Sequence, residues 1–252
     1  QERRIEKGAV IIERPDITIN LEGAGESITV SLDEDPLAPK AHLLVSELMV
    51  LTNAALAAWA KEHGVTLLHR TQDVAIPKEF SGIWQTPLEI ARVVKALAPA
   101  VLETNPRPHA GLGEAMYAPS TSPLRRYPDM INETQIISLL RDGKPRWSKE
   151  ELDTLLPLLN AHLDAAGQVQ RFRPRYWKLL YFKQQGDRWW PAVITDENDA
   201  FVTVNMPKEQ MIVRARRQFF GERTHPGQEL EIRLGKVHPL QNDFQLLETR
   251  EI

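Results

Sequence analysis

The apolar pattern of this chain changes texture near Pro174, and that change limits the fold more than any single motif does. From about residue 40 to that point, long apolar runs are spaced for helices. After Arg171-Phe172-Arg173-Pro174-Arg175 come short β-type runs at about 189–195, 201–206, 209–213, 228–237 and 244–250. Glu197-Asn198-Asp199, Pro207-Lys208 and His225-Pro226-Gly227 punctuate them. Short strands divided by turn residues predict a small β-barrel of the OB type. The chain is therefore read as α+β, with a larger domain over 1–173 and the barrel over 174–252.

The larger part has its own order. Ile17, Ile19 and Leu21 alternate with polar residues, as do Ile28, Val30 and Leu32, with Glu22-Gly23-Ala24-Gly25-Glu26 between them. This period of two predicts a hairpin. Residues 40–63 predict a helix closed by Gly64, with Leu44, Leu48, Leu51, Ala55 and Trp59 as its main stripe. Because Val45, Met49 and Val50 lie outside that stripe, the helix reads as buried nearly all round. A further helix is expected over 87–100, and another over 123–141, stopped by Asp142-Gly143-Lys144-Pro145. Ser148 and Glu151 form a capping box, with Trp147 and Leu152 as a hydrophobic staple. The long helix that follows is expected to kink at Pro157 and to turn Leu152, Leu155, Leu156, Leu159 and Leu163 inward.

Composition excludes several functions. The chain has 252 residues and a formal net charge of −3, so any nucleic-acid site must be a local patch. There are no cysteines, which removes disulfides and thiolate metal sites and fits a reducing, cytoplasmic setting. No apolar run reaches the ~18 residues of a membrane span, so no membrane partner is expected. The start, Gln1-Glu2-Arg3-Arg4, lacks an apolar signal core and reads as an interior position of a longer chain.

The densest chemistry lies in Ser120-Thr121-Ser122-Pro123-Leu124-Arg125-Arg126-Tyr127. Ser122 reads as an N-cap and Pro123 as a first helical residue, although Pro128 would then sit awkwardly and favours a regular start near itself. Two guanidiniums in a first helical turn oppose the helix dipole. An external anion accounts for them, and phosphate matches a planar guanidinium fork; two solvated arginines beside a capped helix are the plainer alternative. Glu47 falls at the edge of the apolar stripe of helix 40–63. It is either a structural salt bridge to an arginine or a carboxylate facing a polar cavity. Asn53 points elsewhere and reads as a structural hydrogen-bonder. His109-Ala110-Gly111-Leu112-Gly113 allows a tight loop. The seven histidines form no metal-binding pattern. Between 168 and 190, Arg171, Arg173 and Arg175 interleave with aromatics, the mixture that single strands need; the aromatics, Trp177 and Tyr181 among them, serve equally as a helix face packed on the barrel.

Pro108-His109-Ala110-Gly111-Leu112-Gly113, Tyr117, Thr121–Tyr127 and Asp129-Met130-Ile131-Asn132 resemble the catalytic RNB domain of the ribonuclease II/R family. Val45–Asn53 is similar to that family's E-x-M-x-x-x-N helix, and Arg3-Arg4, Gly8-Ala9 and Arg14-Pro15-Asp16 resemble its lead-in segment. Residues 175–252 look like its C-terminal S1 barrel.

The resemblance implies hydrolysis of single-stranded RNA from the 3′ end to nucleoside 5′-monophosphates, with Mg²⁺ as cofactor. It implies that Arg125 steadies the scissile phosphate and that Glu47 acts at the 3′-terminal nucleotide. Ser122, Arg126 and Tyr127 would build the same wall, and Arg70, Arg171, Arg173 and Arg175 would contact RNA. The family's aspartate cluster should lie upstream of Arg3. Asp33-Glu34-Asp35 is the closest acidic run here and is in the wrong place, so no metal ligand is assigned in this chain. The expected partners are therefore single-stranded RNA and the N-terminal half of the same enzyme, with this chain alone inactive. Two alternatives remain: a non-catalytic RNA-binding or scaffold protein of the same fold, and a protein-interaction module using the barrel face. Glu133 stands where the family usually has a histidine, and the aromatic that clamps the terminal base would fall near Ile19.

Overall fold

The computed structural model describes residues 1–35, 39–221 and 223–252. In chain order the elements are α1 (Glu2–Glu6), β1 (Val10–Ile12), β2 (Ile17–Glu22), β3 (Thr29–Glu34), α2 (Pro39–Glu62), β4 (His69–Thr71), β5 (Gly82–Trp84), α3 (Pro87–Ala96) and β6 (Val101–Glu103). They continue with α4 (Tyr127–Asp142), α5 (Lys149–Gln185), β7 (Trp189–Glu197), β8 (Phe201–Met206), β9 (Met211–Arg216), β10 (Glu229–His238) and β11 (Asp243–Glu251). The chain forms two compact units: one from 1–12, 38–84 and 93–164, the other from 13–37, 85–92 and 165–252.

The first unit is mainly helical. Its two small sheets are a parallel pair, β1 with β5, and an antiparallel pair, β4 with β6. Ala57 and Ala60 of α2 pack against Val65, Leu67 and Ala118; their small side chains let the helix approach the loop backbone closely. A second cluster joins Leu68, Ile131, Leu152 and Leu159, with Trp147 against it. The Ser148–Glu151 capping box is formed: the Ser148 N–H donates to Glu151 Oε2 at 2.7 Å and the Glu151 N–H to Ser148 Oγ at 3.2 Å. Leu163 departs from the expected inward row and is exposed.

The stripe expected on α2 is also corrected. Leu44, Leu48 and Leu51 are exposed, as is Ala55, and the buried side of the helix is Val50, Asn53, Ala57 and Ala60. The helix is apolar on more than one face, so hydrophobicity alone does not say which face turns inward; the partner surface does. Among the described residues, α2 is also the one helix long and apolar enough to cross a membrane, which corrects the reading that no stretch reaches that length. Glu47 interrupts the apolar run without lowering the average enough to remove it.

The second unit holds the hairpin and the barrel. β2 and β3 pair antiparallel as the expected hairpin, with Ile19 opposite Leu32. The five strands β7–β11 form one antiparallel sheet in the order β11-β10-β7-β8-β9, curled into a half-barrel as expected for an OB-type fold. Alternation on β8 sends Val202, Val204 and Met206 inward, where they meet Trp190, Ile194, Val213 and Ile232. Leu179 and Phe182 of α5 close this core and Tyr181 packs against it as expected, whereas Trp177 is not among its residues. Gln184, near the end of α5, accepts from the Val30 N–H at 2.9 Å and donates to the Ile28 carbonyl at 2.6 Å, tying helix to hairpin.

Candidate functional site

The arginine motif is not the start of a helix. Residues 122–125 form a turn, and α4 begins at Tyr127 with Pro128 in its first turn, where a missing N–H costs nothing. Ser122 therefore does not cap the helix. Its backbone N–H donates to Asp129 Oδ1 at 2.9 Å, and the Arg126 N–H donates to the Ser122 carbonyl at 3.0 Å. Asp129 is fully buried and also accepts from Arg126 Nη2 at 2.6 Å. Arg126 is thus neutralised within the motif and braces it. Arg125 is exposed, and its guanidinium lies 3.4 Å from Ser122 Oγ. Tyr127 is half exposed.

A polar stripe on α4 fixes this turn. Asp129, Asn132 and Gln135 stand three residues apart on one face, and all are fully buried. Asn132 Nδ2 donates to the carbonyls of Leu68 (2.9 Å) and Pro119 (2.8 Å), and its Oδ1 accepts from the Leu68 N–H at 2.7 Å. Gln135 bridges the Thr66 and Trp147 carbonyls and accepts from the Trp147 N–H. Polar residues at a core-facing period were the sequence signal for this brace, and Gln135 was missed.

Glu47 is held by an arginine. Arg4 Nε donates to its Oε2 at 3.0 Å, and Arg4 Nη2 makes a second, short bond to Oε1. The hydrogen-bonded Arg4 guanidinium holds the Glu47 carboxyl below its ordinary range, against the opposing effect of burial. Arg4 Nη1 reaches on to the Leu112 carbonyl at 2.9 Å. The glycine loop makes this possible. Gly113 has φ +67°, and a Cβ there would stand 2.5 Å from the Arg4 carbonyl oxygen. Arg4 and Glu47 are 43 residues apart, so no local spacing could reveal the pair.

Asn53 behaves as expected. Its Oδ1 accepts from the Ser120 N–H at 2.9 Å, and its Nδ2 donates to the Tyr117 hydroxyl at 2.8 Å. One helix, α2, thus carries both Glu47 and the residue that fixes the approach to the arginine turn. The Arg70 N–H donates to the Tyr117 carbonyl at 2.8 Å, and its side chain is exposed. His109 packs edge-on to Tyr117; burial, and then the charge of Arg70, lower its pKa to about 4. Burial likewise lowers His69 to about 4, against the pull of Glu103.

The structure brings Ser122 and Arg125 onto one turn and places Arg126 and Tyr127 directly after it, at the start of α4. Arg171, Arg173 and Arg175 belong to the second unit. Arg171 and Arg173 are exposed on α5, whereas Arg175 packs at the barrel, with Nη1 3.2 Å from Met211 Sδ and its guanidinium over the Phe244 ring. Among the described residues, no three His, Asp or Glu side chains are placed to hold one metal ion. The described residues do not fit a Mg²⁺ centre.

Residues 1–142 match the RNB domain family. An uncharacterized ribonuclease of Synechocystis is 24% identical over 251 residues, covering 97% of this chain and 37% of that protein. A Candida glabrata Dss1 exoribonuclease active-site mutant superposes with TM-score 0.80 at 22% identity, over 97% of this chain and 33% of that one. Mycoplasma genitalium RNase R in complex with ribose-methylated single-stranded RNA gives 0.75 at 16%, over 98% and 47%. The chain therefore spans between a third and a half of the length of these proteins.

Proposed function

From the premise that this chain belongs to the RNB domain family, we propose that it is part of a 3′→5′ exoribonuclease that hydrolyses single-stranded RNA to nucleoside 5′-monophosphates. Residues 1–173 are its share of the RNB domain and residues 174–252 its S1-like barrel. The observation that carries this reading is the division of labour in the arginine turn. Asp129 holds Arg126 and shapes the turn, so Arg125 is left facing out as a planar fork for a phosphodiester. Two parallel N–H donors there would hold the scissile phosphate in line and stabilise the charge that builds up on its oxygens.

Glu47 has a different task. Paired with Arg4 and held ionised, it is an acceptor rather than a proton donor. It would receive hydrogen bonds from ribose hydroxyls of the terminal nucleotide and orient the leaving group. The family's Mg²⁺ would supply an activated water and charge neutralisation when bound. Its ligands would come from the N-terminal half of the enzyme, because the described residues here do not form such a set.

The test is turnover of labelled single-stranded RNA by this chain assembled with an aspartate-bearing RNB half. Arg125→Ala should lower turnover by more than about 100-fold, the scale of losing a main oxyanion donor, with RNA binding nearly retained. Near-wild-type turnover in that variant would sink the assignment. A second reading, a non-catalytic RNA-binding scaffold, is favoured by Glu47 being already committed to Arg4. RNA binding without hydrolysis in the assembled protein would select it.

A further inference from the structure

We propose that the second unit carries a nucleotide subsite, separate from the arginine turn, that takes one unpaired RNA residue and favours bases with an exocyclic amino group. It rests on the reading of RNA as substrate.

A cleft of about 200 Å³ opens where the approach to β2, the end of β3, the start of α3 and the β8–β9 turn meet. That is below the usual ~300–1,000 Å³ of a small-molecule pocket and suits one base rather than a base pair. Its wall is apolar and flat in part, from Pro15, Pro87, Pro207 and Ile90. Its polar groups divide in two. Arg14 and Lys208 are exposed cations at the cleft, placed for a phosphate. Glu34, Asn205 and Gln85 are hydrogen-bonding side chains of the kind that read a base edge.

The floor is pre-organised. Gln210 lines the cleft with φ +47°, an uncommon conformation for a residue with a side chain. It is held on both sides: its Nε2 donates to the Pro15 carbonyl at 2.5 Å, and its own carbonyl accepts from Lys178 Nζ at 3.1 Å. Lys178 is half-buried, and burial together with the charge of Arg14 lowers its pKa to about 8. Arg14 and Lys208 are the cations that line the cleft, and a bound phosphate would be held by them. Gln85 is fixed in turn, donating to Glu13 at 2.7 Å. The backbone strain and its bracing fall where the ligand would sit, as expected of a binding turn.

Glu34 decides the base. A carboxylate accepts hydrogen bonds and cannot donate them. Cytosine, adenine and guanine carry an amino group for it; uracil presents carbonyls on both sides of its single N–H. An acidic peptide carries neither a base to lie on the proline wall nor an exocyclic amino group for Glu34, so the observations favour nucleic acid.

The experiment is fluorescence anisotropy of this chain with 5′-labelled oligo(C) and oligo(U) RNA in EDTA, over a salt series. Wild type should prefer oligo(C) several-fold. Arg14→Ala with Lys208→Ala should weaken both RNAs about tenfold and flatten the log–log salt slope by about 0.7 for each phosphate left without its cation. Lys208→Arg should restore most of the second cation's share. Glu34→Ala should remove the preference while oligo(U) binding is kept. Unchanged affinity and slope in the double-alanine variant overturn the subsite; if wild type still binds RNA, the substrate reading stands. Wild type that binds neither RNA overturns both.

Discussion

Arg126 Nη2 lies 2.6 Å from Asp129 Oδ1, and this ion pair turns an arginine doublet into one structural and one exposed guanidinium. The same carboxylate oxygen accepts the Ser122 N–H, so a single buried atom fixes both the turn and its charge.

Asp129→Asn should therefore act on both. The amide keeps an acceptor for Ser122 but removes the counter-charge of Arg126, whose side chain is one-third exposed. The expected loss is about 1–2 kcal/mol of stability. Asp129→Ala, which also orphans the Ser122 N–H, should cost about 3 kcal/mol. Urea unfolding midpoints read both, and equal losses would contradict the shared-acceptor account.

Asn132 makes three hydrogen bonds to backbone groups and is fully buried. Asn132→Ala leaves those groups unpaired and should cost about 3 kcal/mol or more. The melting temperature of the variant against wild type is the measurement. A change under about 1 kcal/mol would mean that water replaces the side chain.

Two glycines with similar φ should respond differently to alanine. Gly143 (+71°) has open space for a Cβ, so Gly143→Ala should show backbone strain alone, about 1 kcal/mol. A Cβ added at Gly113 (+67°) would stand 2.5 Å from the Arg4 carbonyl oxygen, so Gly113→Ala should cost about 3 kcal/mol and displace the partner of Glu47. A thermal-shift series on the two variants separates strain from collision.

Acid should weaken the first unit already above the range in which ordinary carboxylates titrate. His69 and His109 are buried with pKa values lowered to about 4, whereas the unfolded chain takes up their protons near 6.5. As pH falls from about 6.5 toward about 4 the unfolded state binds more protons than the folded one, and stability drops. The full effect is on the order of 3 kcal/mol per histidine. Urea midpoints at about pH 7.5, 5.5 and 4.5 should decline in wild type and decline less in His69→Gln with His109→Gln. A flat wild-type profile would show that the rings are solvated.

Much of the fold is legible in the sequence because its causes are local. The alternation of Ile17, Ile19 and Leu21 produces β2, Ser148 and Glu151 cap α5, and Gly143 in a left-handed conformation ends α4. β9 begins at Met211, later than its apolar run suggests, because Pro207–Gln210 turns instead of extending. The pieces β4, β5 and β6 carry only three residues each, too few for a period to show.

The sequence by itself marked out the candidate residues: an arginine doublet beside serine and proline, a glutamate within an apolar helix, and a glycine loop before the doublet. Only the tertiary structure decided how each is held. Asp129 claims Arg126 and leaves Arg125 out; Arg4 claims Glu47 across 43 residues; and α2 turns Asn53 inward and Leu44, Leu48 and Leu51 outward. Propensity and capping act within a few residues of the chain, so a sequence reveals them. Pairing of charges and choice of a buried face depend on which surfaces meet, and that is settled only when the chain has closed on itself.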